Sequence, residues 1–146
     1  MISEHAVLVI DDEHEATLIS SAIALHAPQL RVRAVSGWRA GLAYVGDNKG
    51  SRMLVILGEA AVREASQAMP LLNGSLKGLT VVGLAAGVGA AAKEHALAAG
   101  VRAVHERPAS WAAYAQTVRD ILESWSDAQR VGAGRQFDRS SERTKL

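Results

Sequence analysis

The run Ala6-Val7-Leu8-Val9-Ile10, closed by Asp11-Asp12-Glu13, decides the fold of this chain. Five consecutive apolar residues leave no polar face, so the segment must be covered on both sides. That is the condition of a strand inside a parallel sheet. The acids that follow stand at the strand's carboxyl end and at the start of a helix, where the helix dipole favours negative charge.

The same pattern continues outward. His14–His26 carries Leu18, Ile19, Ala22, Ile23 and His26 at helical spacing, and Pro28 lies just beyond as a stop. Arg31–Val35 reads as a short strand. Ser36 stands where it could cap a helix bearing Trp38, Leu42 and Val45. Met53–Leu57 is a second buried strand, closed by Gly58 and followed by a weakly helical, alanine-rich Glu59–Met69. Leu79–Leu84 is a third central strand. Ala90–Ala99 favours helix, with Gly100 placed for its C-terminal cap. Val101–His105 is the last strand, ended by Arg107-Pro108. Ser110 opens a final helix with Trp111, Tyr114, Val118, Ile121, Leu122 and Trp125 on one stripe.

Five strands alternating with five helices predict an α/β domain with one parallel sheet and helices on both faces. The 146 residues suffice for one such domain, expected over 1–130. Residues 131–146 hold glycines, serines and a net charge of +2, which predicts a disordered tail. Sixteen basic against fifteen acidic residues leave +1 overall, too little to steer the protein onto nucleic acid or acidic membrane. With no cysteine there is no disulfide, thiolate metal site or thiol chemistry. Aromatics at 4% do not make a base-stacking platform. No targeting segment or membrane span is visible, which predicts a cytoplasmic protein.

Three motifs together give the chain a likeness. Val7–Glu13 at the first strand, Ala96-Leu97-Ala98-Ala99-Gly100-Val101 before the last strand and Arg107-Pro108 after it resemble the receiver domain of two-component response regulators, over about residues 5–126. The resemblance implies a flavodoxin-like sheet of order 2-1-3-4-5, and a cis bond before Pro108. It also implies phosphoryl transfer to an aspartate at the end of the third strand. A magnesium ion on the acidic pair, a hydroxyl at the end of the fourth strand and a lysine before the final proline would assist.

This sequence departs at most of those points. Gly58 occupies the nucleophile's place, Ala85 the hydroxyl's and Arg107 the lysine's, while His105 replaces the family's switch aromatic. Asp11 and Asp12 remain, as a weak magnesium site or as partners of Arg107, whose planar fork suits carboxylates. Glu59 sits next to Gly58, with its direction left open. A rival register through Met69-Pro70-Leu71-Leu72-Asn73-Gly74 puts Ser66 in the nucleophile's place and leaves too short a crossover to the next strand.

The expectation is therefore an atypical, non-enzymatic receiver without cofactor. It would bind a histidine kinase, a downstream regulator or a second copy of itself through the last two helices and the last strand, with Leu97, His105, Trp111 and Tyr114 at the surface. Tyr114 is expected to be partly exposed; Trp111 clusters on the stripe with Val118, Leu122 and Trp125, and an exposed tryptophan there would serve as an anchor. Two alternatives stay open: a phosphoacceptor using an unexpected residue, and a nucleotide or small-ligand binder. The second would use Gly87-Val88-Gly89-Ala90-Ala91-Ala92, with Glu106 beyond the next strand.

Overall fold

The computed structural model describes residues 4–72 and 78–144, with side chains as far as Asp127. Five strands, β1 (Glu4–Val9), β2 (Arg31–Val35), β3 (Arg52–Leu57), β4 (Leu79–Ala85) and β5 (Ala103–Glu106), form one all-parallel sheet of order β2-β1-β3-β4-β5. This is the flavodoxin-like order. The register aligns the carboxyl ends, with Val9 beside Leu57 and Leu57 beside Gly83.

Strand alternation divides the core in two. Ala6, Leu8, Leu54, Ile56, Val82 and Leu84 face α1 (Glu13–His26) and the last helix, where Ile19, Ile23, Val118 and Ile121 meet them. Val7, Val9, Val55, Leu57 and Val81 face the other side, against Trp38 and Val45 of α2 (Gly37–Asp47) and the helices that follow β3. The apolar run at 6–10 is thus buried because alternate residues feed two different cores.

The segment after β3 is not one helix. It forms α3 (Glu59–Arg63) and α4 (Ala65–Leu72), parted at Glu64. α3 lies close on the sheet: a Cβ at Gly83 would come within 2.7 Å of Val62 Cγ2, so β4 needs glycine there. Ser66 falls inside α4 and Gly58 at the end of β3, which rejects the rival register. Asn73 and Gly74 of that motif lie outside the described residues. α5 (Ala90–Ala99) ends as expected on Gly100, whose left-handed φ of 118° favours glycine.

α6 runs from Trp111 to Thr144. Two expectations need correction. No cis peptide occurs among the described residues, and the bond to Pro108 is trans, the isomer favoured in most contexts. Ser36 precedes α2 without a side-chain capping bond; its hydroxyl donates to Asp11 Oδ1 instead, at 3.1 Å. No helix among the described residues is long and apolar enough to cross a membrane.

Candidate functional site

The carboxyl ends of β1 and β3 border a cleft of about 250 Å³. Asp11, Asp12 and Glu15 line one side, Gly58 and Glu59 the other, and Arg107 reaches in from beyond β5. Of the residues singled out in the sequence, Asp11, Asp12, Gly58, Glu59 and Arg107 line this cleft, while Ala85, buried at the end of β4, is not among its lining residues.

Their roles differ from the expected ones. Asp12 is the N-cap of α1, its Oδ1 accepting from His14 N at 2.9 Å and Glu15 N at 3.2 Å. Asp11 is exposed and takes the Ser36 hydroxyl. Arg107 does not pair with either aspartate. Its guanidinium faces Glu15 at 3.9 Å. Glu15 supplies what that cation needs because both aspartates are already engaged in local bonds.

Glu15 is the residue that sequence reasoning missed. It is buried, 6% exposed, and its Oε2 accepts from the Tyr114 hydroxyl at 3.2 Å. Burial pushes the Glu15 carboxyl upward, aided by the negative charges of Asp12 and Glu59. The Tyr114 hydrogen bond and Arg107 oppose that rise. Tyr114 is pushed up to about 12, by burial first and then by the charge and hydrogen bond of Glu15, so it remains a proton donor. A signal was present: Glu15 precedes Ile19 by four residues, on the apolar stripe of α1. Asp12 and Glu15 also have capping-box spacing, but the Glu15 side chain turns inward rather than back to the cap.

Tyr114 is consequently not a surface residue. It is 6% exposed, whereas Trp111, on the same stripe and also expected at the interface, is 46% exposed. Trp111 is the first residue of α6 and stands one turn outside the segment packed against α1 and the sheet. Leu97 is 40% exposed and His105 half-buried. Burial lowers the His105 pKa; Lys93 adds to that and Asp120 opposes it.

Gly58 is buried and provides only backbone, its N–H donating to Val9 O at 3.0 Å. Glu59 lines the cleft, but its Oε2 accepts from Arg63 at 2.9 Å. Arg63 also donates to Gly87 O at 2.9 Å, tying α3 to the loop after β4. The loop at 87–89 thus lies over Glu59, with Gly89 opening α5.

These residues do not fit a magnesium ion. No group of three or more His, Asp or Glu side chains able to hold a metal occurs among the described residues. Asp12 is committed to a helix cap, Gly58 has no side-chain oxygen, and Arg107 brings a positive charge to the same cleft.

The architecture is that of receiver domains. A response regulator from Hahella chejuensis superposes with a TM-score of 0.72 at 18% identity, covering 84% of this chain and 95% of that one. The phosphorylated cyanobacterial phytochrome response regulator RcpA gives 0.69 at 20% identity, covering 86% and 96%. A response regulator in red light signaling of R. palustris gives 0.69 at 19%, covering 84% and 93%. At these identities the likeness is one of fold. No family profile and no curated protein matches the sequence.

Proposed function

We propose that this chain is an atypical receiver domain of bacterial two-component signalling that works without phosphorylation, by binding a partner protein in the cytoplasm. The observation that carries the reading is Gly58 at the carboxyl end of β3, beside Asp11 and Asp12, in a cleft whose acids are held by local bonds. Phosphoryl transfer depends on positioning and charge neutralisation; here the acceptor and the hydroxyl are missing from the positions that would supply them, and Asp11 and Asp12 have no third ligand among the described residues.

The surface of α5, β5 and the start of α6 supports the binding role. Trp111 and Leu97 are exposed there beside His105, and tryptophan is a frequent anchor of protein interfaces. A histidine kinase, a downstream regulator or a second copy of the chain is the class of partner, and the domain has no enzymatic step of its own.

Incubation with acetyl phosphate and magnesium, followed by intact mass measurement, tests the first half. The expected result is no gain of about 80 Da, the mass of a phosphoryl group. A stable acid-labile adduct on Asp11, Asp12 or Glu59 overturns it. Trp111→Ala is expected to reduce partner capture while leaving the circular dichroism unchanged, which tests the second half.

A further inference from the structure

At the opposite end of the sheet, where β1 and β3 begin, a second cleft of about 290 Å³ opens between the end of α1 and α6. Leu30 and Leu122 give it an apolar wall, and Glu4, Arg52, Arg119 and Trp125 lie around it. Its charges are paired: Arg52 holds Glu4 at 2.6 Å and Arg119 holds Glu123 at 3.1 Å. The ring of His26 donates from Nε2 to Ala115 O at 3.1 Å.

Two N–H groups are left over. The indole Nε1 of Trp125 and the Nε of Arg52 are buried and have no partner among the described residues. Trp125 is 5% exposed, and the Arg52 guanidinium carbon lies 5.5 Å from its ring centroid, so the two donors belong to stacked groups. Buried donors without acceptors are rare and carry a desolvation cost. The carboxylates at the cleft, Glu4 and Glu123, are held by Arg52 and Arg119, and neither accepts from these two N–H groups. A cation or a second N–H donor would leave both groups unsatisfied.

The structure also shows which acceptor suits it. Arg52 already takes a carboxylate, that of Glu4, and the Glu4 side chain is 27% exposed. A partly exposed pair of this kind exchanges at little cost. We infer that this cleft binds a small carboxylate with an apolar body. The ligand carboxylate replaces Glu4 on Arg52 and reaches the Trp125 N–H as the guanidinium moves aside, while the body rests on Leu30 and Leu122. The volume places it at the lower end of small-molecule sites.

Titration of the full ¹⁵N-labelled chain with benzoate tests this, with sodium chloride as control. The indole N–H signal of Trp125 is expected to shift saturably. That of Trp38, which already donates to Ala61 O at 2.9 Å, is expected to stay in place. Trp125→Phe keeps the ring but removes the donor and is expected to weaken binding about tenfold, the effect of one hydrogen bond to a charged group. Glu4→Gln removes the internal competitor and is expected to tighten binding severalfold; this second variant decides the matter if Trp125→Phe fails to fold. An absent or non-saturable shift, a shift reproduced by chloride, or Glu4→Gln binding no tighter than the native chain overturns the assignment.

Discussion

The two sides of the cleft at the carboxyl ends of the strands are built differently. On the β1 side, Asp11, Asp12 and Glu15 are all present and all engaged: one takes Ser36, one caps α1, one is buried between Tyr114 and Arg107. On the β3 side, Gly58 offers no functional group at all. The presence of the acidic pair is weak evidence for a metal, since Asp12 stabilises the helix start regardless.

That contrast can be broken most forcefully at Tyr114. Tyr114→Ala empties a buried aromatic site and is expected to cost about 3–5 kcal/mol. Tyr114→Phe strips only the donor from Glu15 and is expected to cost about 1–3 kcal/mol. Urea denaturation measures both, and a Tyr114→Phe chain as stable as the native one would show that the Glu15 link adds nothing.

The β3 side is expected to resist refilling. A Cβ at Gly58 meets Ile10 Cγ1 at 3.3 Å, so any side chain there forces a small shift. Overpacking of this kind costs about 1–3 kcal/mol. Gly58→Asn carries the steric part alone, and Gly58→Asp adds a charge among Asp11, Asp12, Glu15 and Glu59. At neutral pH the aspartate variant is expected to melt lower than the asparagine variant, with the gap closing in acid. Identical melting curves at both pH values would mean that these acids do not feel one another.

On the β1 side, Asp12→Ala is expected to cost about 1 kcal/mol through the lost cap. Asp11→Ala, at an exposed position, is expected to stay within about 0.5 kcal/mol of the native chain. Comparable losses for the two would show that the acids act as a pair.

The smallest effect is in the pH dependence. Glu15 titrates above its usual 4.5 in the folded chain, so between 4.5 and its folded value the native state holds more protons than the unfolded one. Stability from this group is therefore present below the unfolded value and lost as pH rises through the folded value. His5 and His105 are lowered by burial and act in the opposite direction up to 6.5. They remain in Glu15→Gln, so the difference in urea midpoint between that variant and the native chain, followed from acid to neutral pH, isolates Glu15. It is expected to move in favour of the variant as pH rises; a flat difference would place the carboxyl at its ordinary value.

Much of the fold was legible because it rests on patterns with one reading. Continuous apolar runs at 6–10 and 53–57 must be buried on both faces, and the strand order followed from the resemblance. The place of Gly58 followed from counting along a strand. What the sequence did not reveal depends on direction and distance. Helical angle alone could not show that Trp111 stands beyond the packed part of α6 while Tyr114 turns inward. Nor could it show that Arg107 reaches past two aspartates to a glutamate one helical turn further on. The break at Glu64 was hidden too, because alanine-rich sequence supports one helix or two equally well.

The placement of the tryptophans has a practical consequence. Trp38 is buried in the layer on one face of the sheet, Trp125 in the layer on the other, and Trp111 stands in solvent. Each side of the protein therefore carries its own optical probe, and the third serves as an internal reference. Single-tryptophan versions of the chain would report by emission wavelength which side loosens first on heating. A domain divided by its sheet could in this way be watched melting one half at a time or both at once.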